Sequence, residues 1–181
     1  PAVAALLREI VDVCLLRRGP QDLPYSPPAV MSFAVVLVGM QLAFAAFHDM
    51  PPAALAARAL VTVLMLFGVT VGLLHLRKFA NRAVQTLLAV AGTEVLFALL
   101  SMPMLVVVQP HMGSENPPGS ALVVMLAAVF AFFWKLRVNA AIWRQALEIP
   151  VSAAYLLTVG LLLCEALLLF ALVPAPVPAA P

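Results

Sequence analysis

Residues of the AVILMFWYC set make up 65% of this 181-residue chain, and Asp, Glu, Lys and Arg together only 10%. A water-soluble domain of that length needs a charged exterior that these numbers exclude, whereas lipid tolerates an apolar one. The formal net charge of +2 is too small to imply nucleic acid, and one compact unit is expected.

Residues 3 to 15 set Val3, Leu6, Leu7, Ile10, Val11 and Cys14 at helical spacing, with Arg8, Glu9 and Asp12 opposite. That pattern predicts an amphipathic helix, too short and too charged to span. Its expected place is the cytoplasmic headgroup layer, with docking to a soluble partner as the alternative. The same charges argue against a cleavable signal peptide, and Pro1 suggests a removed initiator Met or a trimmed end. Residues 1–18 thus form a cytoplasmic-face segment. Residues 19–28, Gly-Pro-Gln-Asp-Leu-Pro-Tyr-Ser-Pro-Pro, form a proline-broken elbow.

Residues 29–172 read as five transmembrane helices. The first runs from about Ala29 to Phe47, the second from Ala54 to Leu76 and the third from Ala83 to Val108. At about 1.5 Å per residue the third exceeds a slab of about 30 Å, so a tilt or a kink at Pro103 is expected. The fourth begins near Ser120, passes an aromatic belt at Phe130, Phe132, Phe133 and Trp134, and continues as cytoplasmic helix from Lys135 to Leu147. The fifth covers Val151 to Leu172, and residues 173–181 are a Pro/Ala tail expected to be disordered. The predicted fold class is therefore an all-α integral membrane bundle with an amino-terminal interfacial helix.

Orientation follows from the basic residues. Arg8, Arg17, Arg18, Arg77, Lys78, Arg82, Lys135, Arg137 and Arg144 fall in segments on one side, while His48–Pro52 and Gln109–Gly119 contain no Lys or Arg. The positive-inside rule places the amino terminus in the cytoplasm and the carboxyl terminus in the periplasm. Arg77, Lys78, Arg82, Lys135, Arg137 and Arg144 are then expected to form a cytoplasmic basic face that favours anionic headgroups.

Ionisable groups inside spans need a partner or water. Arg58 and Glu165 match in depth, and an ion pair between them is expected. Glu94 sits near the middle of the third span with no basic residue assigned to its depth. It is expected to be neutral or to face a watery crevice, as a proton- or substrate-handling group or as a hydrogen-bonded structural acid. Gly68 and Gly72 form a Gly-x-x-x-Gly ridge expected to support close helix packing.

Cys14 and Cys164 lie at different depths, which argues against a disulfide, and two thiols are too few for a structural zinc site. No histidine pair sits at haem depth. His48, Asp49, His111 and Glu115 are read as loop residues rather than metal ligands, so no cofactor is expected. Enzyme signatures such as a phosphate loop, Gly-x-Ser-x-Gly or His-Glu-x-x-His are absent, and the chain is read as non-enzymatic.

Leu15-Leu16-Arg17-Arg18-Gly19-Pro20-Gln21-Asp22-Leu23-Pro24-Tyr25-Ser26-Pro27 resembles the segment before the first span in small proteobacterial members of the Yip (Ypt-interacting protein) family. Arg82 to Leu87 with Met102-Pro103, and Trp134 through Arg144 to Pro150, resemble that group's third span and fourth-to-fifth junction. Asn139 stands where that group would carry a His. The resemblance implies five spans, a cytoplasmic amino terminus and an exoplasmic carboxyl terminus. It implies no established chemistry for bacterial members, and the GTPase binding of eukaryotic members rests on longer amino-terminal regions.

The first functional expectation is an inner-membrane scaffold or adaptor in contact with the lipid bilayer and with a membrane or cytoplasmic partner. A small transporter, channel or lipid-moving protein using Glu94 is the alternative, and a subunit of an envelope machine is a third. Oligomeric state is left open.

Overall fold

The computed structural model describes residues 2–47, 51–114, 116 and 118–172, and the side chains of all of these except residues 2 and 44–47. Six long helices form among them, and no strand. They are α1 (Ala2–Cys14), α2 (Pro27–Phe47), α3 (Pro52–Leu76), α4 (Ala83–Val108), α5 (Gly119–Leu147) and α6 (Val151–Leu172). Four helices, α3 to α6, are long and apolar enough to cross a membrane, and α2 is a shorter apolar helix. Such a set marks a membrane protein. The expected tail and the outer-loop residues His48, Asp49 and Glu115 lie outside the described residues.

The central element is α4, which packs against α1, α2, α5 and the second half of α3. Its composition explains this place. Ala89, Ala91, Gly92 and Thr93 are small, and the face they make with Leu87, Leu88, Val95 and Phe97 is buried. Small side chains let neighbouring helices approach closely, which is how helices associate when no hydrophobic drive separates protein from lipid. The helix runs on through Pro103 to Val108.

The amphipathic helix α1 packs against the bundle. Ile10 and Val13 are buried, and Ile10 presses on Gly92 of α4, where an added Cβ would lie 2.6 Å from its Cδ1. Gly92 is nine residues into α4, about 14 Å along the axis. The stripe of Val3, Leu7 and Val11 remains exposed. Apolar side chains on two adjoining faces thus let α1 meet the bundle and still present an apolar strip.

The elbow is a latch. Gly19 N–H donates to Asp22 Oδ2 at 2.8 Å and Pro20–Asp22 make one 3₁₀ turn. Gln85 Nε2 donates to the carbonyls of Leu23 at 2.8 Å and Gln21 at 3.2 Å, tying the elbow to α4. Gln21 Nε2 donates to Gln145 Oε1 at 3.0 Å, tying it to α5. A Cβ on Gly19 would collide with Gln145 Oε1, so a larger residue there would displace the Gln145 amide from Gln21.

In α3, buried positions fall at Ala54, Val61, Leu66, Thr70 and Leu74. The five-residue step from Val61 to Leu66 coincides with a π-helical stretch, Leu64–Val69, in which the wide turn shifts the inward face by one residue. Gly68 and Gly72, two residues after Leu66 and Thr70, therefore point outward. A Cβ at Gly72 would meet nothing within 4 Å, and at Gly68 only Leu64 of the same helix. The expected glycine ridge is thus not a packing contact within the chain; Gly92 holds that place instead.

Gly92→Ala is expected to lower stability in detergent by about 1–3 kcal/mol through overpacking. In an Ile10→Ala background, where the colliding atoms are gone, the same substitution should cost less than half as much. Thermal unfolding of the four proteins of this cycle measures it. A cost independent of Ile10 would show that α1 is not seated on Gly92.

Candidate functional site

Helices α2 to α6 converge on one cavity of about 150 Å³. α2 contributes Gln41, α3 Thr62 and Thr70, α4 Glu94, α5 Trp143 and α6 Glu165. A second cavity of about 220 Å³ shares Leu37, Gln41 and Glu94 with the first and adds Arg58 and Ser101. Gln41 and Glu94 therefore stand on the wall between two spaces.

Glu94 is paired. Its Oε2 lies 2.7 Å from Lys135 Nζ, and Asn139 Nδ2 makes a longer contact of 3.4 Å with its Oε1. Lys135, Asn139 and Trp143 recur every four residues on α5 and so share the face turned to α4. Lys135 was expected on the cytoplasmic basic face with no base at the depth of Glu94, and both expectations are corrected. Glu94 is 11 residues from the start of α4, and Lys135 is 12 from the end of α5. At 1.5 Å per residue these are about 17 and 18 Å from the same end of the bundle. The match is visible in residue counts once α5 is measured as one helix; it is lost when residues 135–147 are assigned to water.

No Arg58–Glu165 ion pair forms among the described residues. The two side chains line different cavities, separated by Gln41 and Glu94. Arg58 Nε is buried without a hydrogen-bond partner, as are Gln41 Oε1, Thr70 Oγ1 and Asn139 Oδ1. Gln41 Nε2 donates to Thr62 Oγ1 at 2.5 Å, which orients the amide and leaves its oxygen unpaired. An unpaired buried polar atom costs about 1–3 kcal/mol, and these four gather around one charged pair. Sequence reasoning singled out Glu94, Arg58 and Glu165 as intramembrane polar residues and set Lys135 on the basic face, but it gave Gln41, Thr62 and Asn139 no place in this cluster. The signal for the amides was their polarity inside apolar runs.

The basic end of the bundle is largely self-satisfied. Arg82 Nη2 pairs with Glu148 Oε1 at 2.6 Å, and its Nη1 donates to the Gln145 carbonyl at 3.5 Å. Arg77 Nη2 donates to the Leu147 carbonyl at 3.3 Å. These two arginines bolt the turn between α3 and α4 to the end of α5, where Glu148 takes a left-handed conformation at φ 52°. Cations suit the carbonyl end of a helix. Arg77 and Arg82 thus do less presenting and more holding than the expected basic face implied. Lys78, Arg137 and Arg144 make no ion pair among the described residues.

The carboxyl end of α1 approaches the same site. Trp134 Nε1 donates to the Cys14 carbonyl at 2.9 Å. Burial, and then the Glu94 carboxylate, push the Cys14 thiol up to about 11.

Lys135→Met leaves Glu94 without its counter-charge and should lower stability by about 1–3 kcal/mol; adding Glu94→Gln should recover at least half of that loss in thermal unfolding. In a Cys164→Ser background, maleimide labelling of Cys14 should rise about tenfold per pH unit across pH 7 to 9, since the thiolate is the nucleophile. Glu94→Gln should speed that labelling, because removing a negative charge lowers the thiol's proton affinity. Labelling as fast as a free thiol at pH 8 would contradict the seated position of Cys14. No family model, curated protein or solved structure matches this chain.

Proposed function

We propose that the chain is a five-span, Yip-like protein of a bacterial inner membrane, with its amino terminus cytoplasmic, that moves protons or a small polar solute by way of Glu94. The observation that carries this reading is the Glu94–Lys135 pair at 2.7 Å, whose carboxylate stands on the wall of a cavity lined by α2 to α6. A carboxylate and an ammonium in a poorly polarisable bundle are costly to bury, and intramembrane ionisable groups so placed are typical of proton and solute pathways. Gln41, Thr70, Asn139 and Arg58 supply unpaired donors and acceptors to the same region. The role assigned to Glu94 is proton exchange with Lys135 and with water or solute in the cavities. No covalent chemistry is involved. The orientation is supported by the gathering of Arg77, Arg82 and Arg144 at one end.

A scaffold or adaptor role is the second reading. It is favoured by Lys78, Arg137 and Arg144, which are exposed at that end. It draws less support than the residue list implied, since Arg77, Arg82 and Lys135 are engaged inside the chain.

The test is reconstitution into liposomes containing a pH-sensitive dye, with an imposed pH gradient. The wild-type protein should collapse the gradient faster than empty liposomes, and Glu94→Gln should slow that collapse at least tenfold. Wild-type liposomes no leakier than empty ones, with and without a membrane potential, would reduce the pair to a structural one and leave the scaffold reading.

A further inference from the structure

One face of α5 carries two different surfaces in succession. Ala127, Phe130, Ala131 and Trp134 line an apolar groove of about 380 Å³, completed by Leu15 at the end of α1 and by Leu96, Leu100 and Met104 on α4. One turn further along α5, Arg137 and Arg144 line a second groove of about 330 Å³ with Leu16, Gln145 and Tyr155. The consecutive residues Leu15 and Leu16 sit one on each groove, so the end of α1 joins them.

The two surfaces differ in chemistry as the two parts of a lipid do. The apolar groove extends along α4 from Leu96 to Met104, about 12 Å at 1.5 Å per residue, and its walls are aliphatic and aromatic. In the basic groove, Arg137 and Arg144 lie seven residues apart on one face of α5, about 10 Å along its axis. Neither side chain makes a hydrogen bond or an ion pair among the described residues, whereas those of Arg17, Arg18, Arg77 and Arg82 all do. A guanidinium presents a planar fork of donors that matches phosphate oxygens. Tyr155, two-fifths exposed, offers a hydroxyl to the same groove, and the groove reaches Val151 in the first turn of α6.

We infer that these joined grooves bind one anionic phospholipid, its phosphate held between Arg137 and Arg144 and part of an acyl chain laid along Phe130, Trp134 and Leu100. The order along α5 is the order a lipid requires: chain toward the bundle's middle, headgroup toward its basic end. Bilayer phospholipid is the occupant argued for, because a free phosphate has no use for the apolar groove and an apolar ligand has none for the arginines. The inference rests on the bundle lying in a bilayer and not on the role of Glu94, which lines neither groove.

Native mass spectrometry of the full chain, delipidated in detergent, tests it with phosphatidylglycerol and phosphatidylcholine of identical chains. Wild type should retain one phosphatidylglycerol with at least a tenfold preference. Arg137→Gln with Arg144→Gln should bring that preference within twofold, while Lys78→Gln, which removes a cation outside the grooves, should leave it intact. In unmutated protein, phosphatidylglycerol with brominated chains should quench the fluorescence of Trp134 more than the brominated choline lipid at equal mole fraction. Trp134→Phe should abolish that difference, since Trp143 is buried elsewhere. The inference falls if wild type shows no anionic preference, if the preference survives the double substitution, or if brominated chains leave Trp134 unquenched. Displacement of the lipid by millimolar inorganic phosphate, with affinity independent of chain length, would mark a phosphate site and overturn the lipid assignment. Flux lost in Glu94→Gln with lipid preference intact, or the converse, separates this inference from the proposed function.

Discussion

The contact between the Glu94 carboxylate and the Lys135 ammonium constrains most of what surrounds it. In an apolar bundle neither group is tolerable alone, and together they hold α4 and α5 at one mutual depth. Asn139 and Trp143 then follow Lys135 onto the same face of α5, and the core of Val138 and Ile142 closes beside them. On α4, the small residues just before Glu94 let α1 come within contact of the helix at Gly92. The close approach of α1 in turn brings Cys14 into the field of the Glu94 charge.

The π-helical stretch in α3 plays the complementary part on the far wall. A regular helix would carry the face of Ala54 and Val61 on to position 65. The extra residue in the turn moves it to Leu66, Thr70 and Leu74 instead. Thr70 is delivered to the cavity with its hydroxyl unpaired, and Thr62, just before the wide turn, meets Gln41 of α2. Such wide turns cost backbone regularity and recur at functional sites. Here the irregularity lies on the helix that supplies the most residues to the shared cavity.

Charge at the basic end divides into two populations by what the backbone offers. Arg77 and Arg82 find the free carbonyls at the end of α5 and the Glu148 carboxylate, and they join the two turns. Arg137 and Arg144 point to a different side of α5, where no acidic group lies within ion-pairing distance among the described residues. One set stabilises the bundle and the other remains available at its surface. A summed count of basic residues hides this division.

Hydropathy alone decided where the long helices lie, because a run of about 20 apolar residues has few other structural outcomes. The bounds expected for the third and fifth apolar runs, Ala83–Val108 and Val151–Leu172, are those of α4 and α6. The elbow was legible too, since four prolines and a glycine within ten residues interrupt regular helix until α2 begins at Pro27. Which partners the buried charges take was decided only by packing. Arg58 and Glu165 agree in depth along their own helices, but depth does not fix rotation, and Gln41 and Glu94 stand between them. Lys135 looked like a surface residue because three basic residues follow the aromatic belt within eleven positions. The helical phase that turns it toward α4 and leaves Arg137 outside is a property of the folded pair. The glycine ridge failed for a related reason: one extra residue in the turn of α3 rotates everything after it, and composition does not announce that residue.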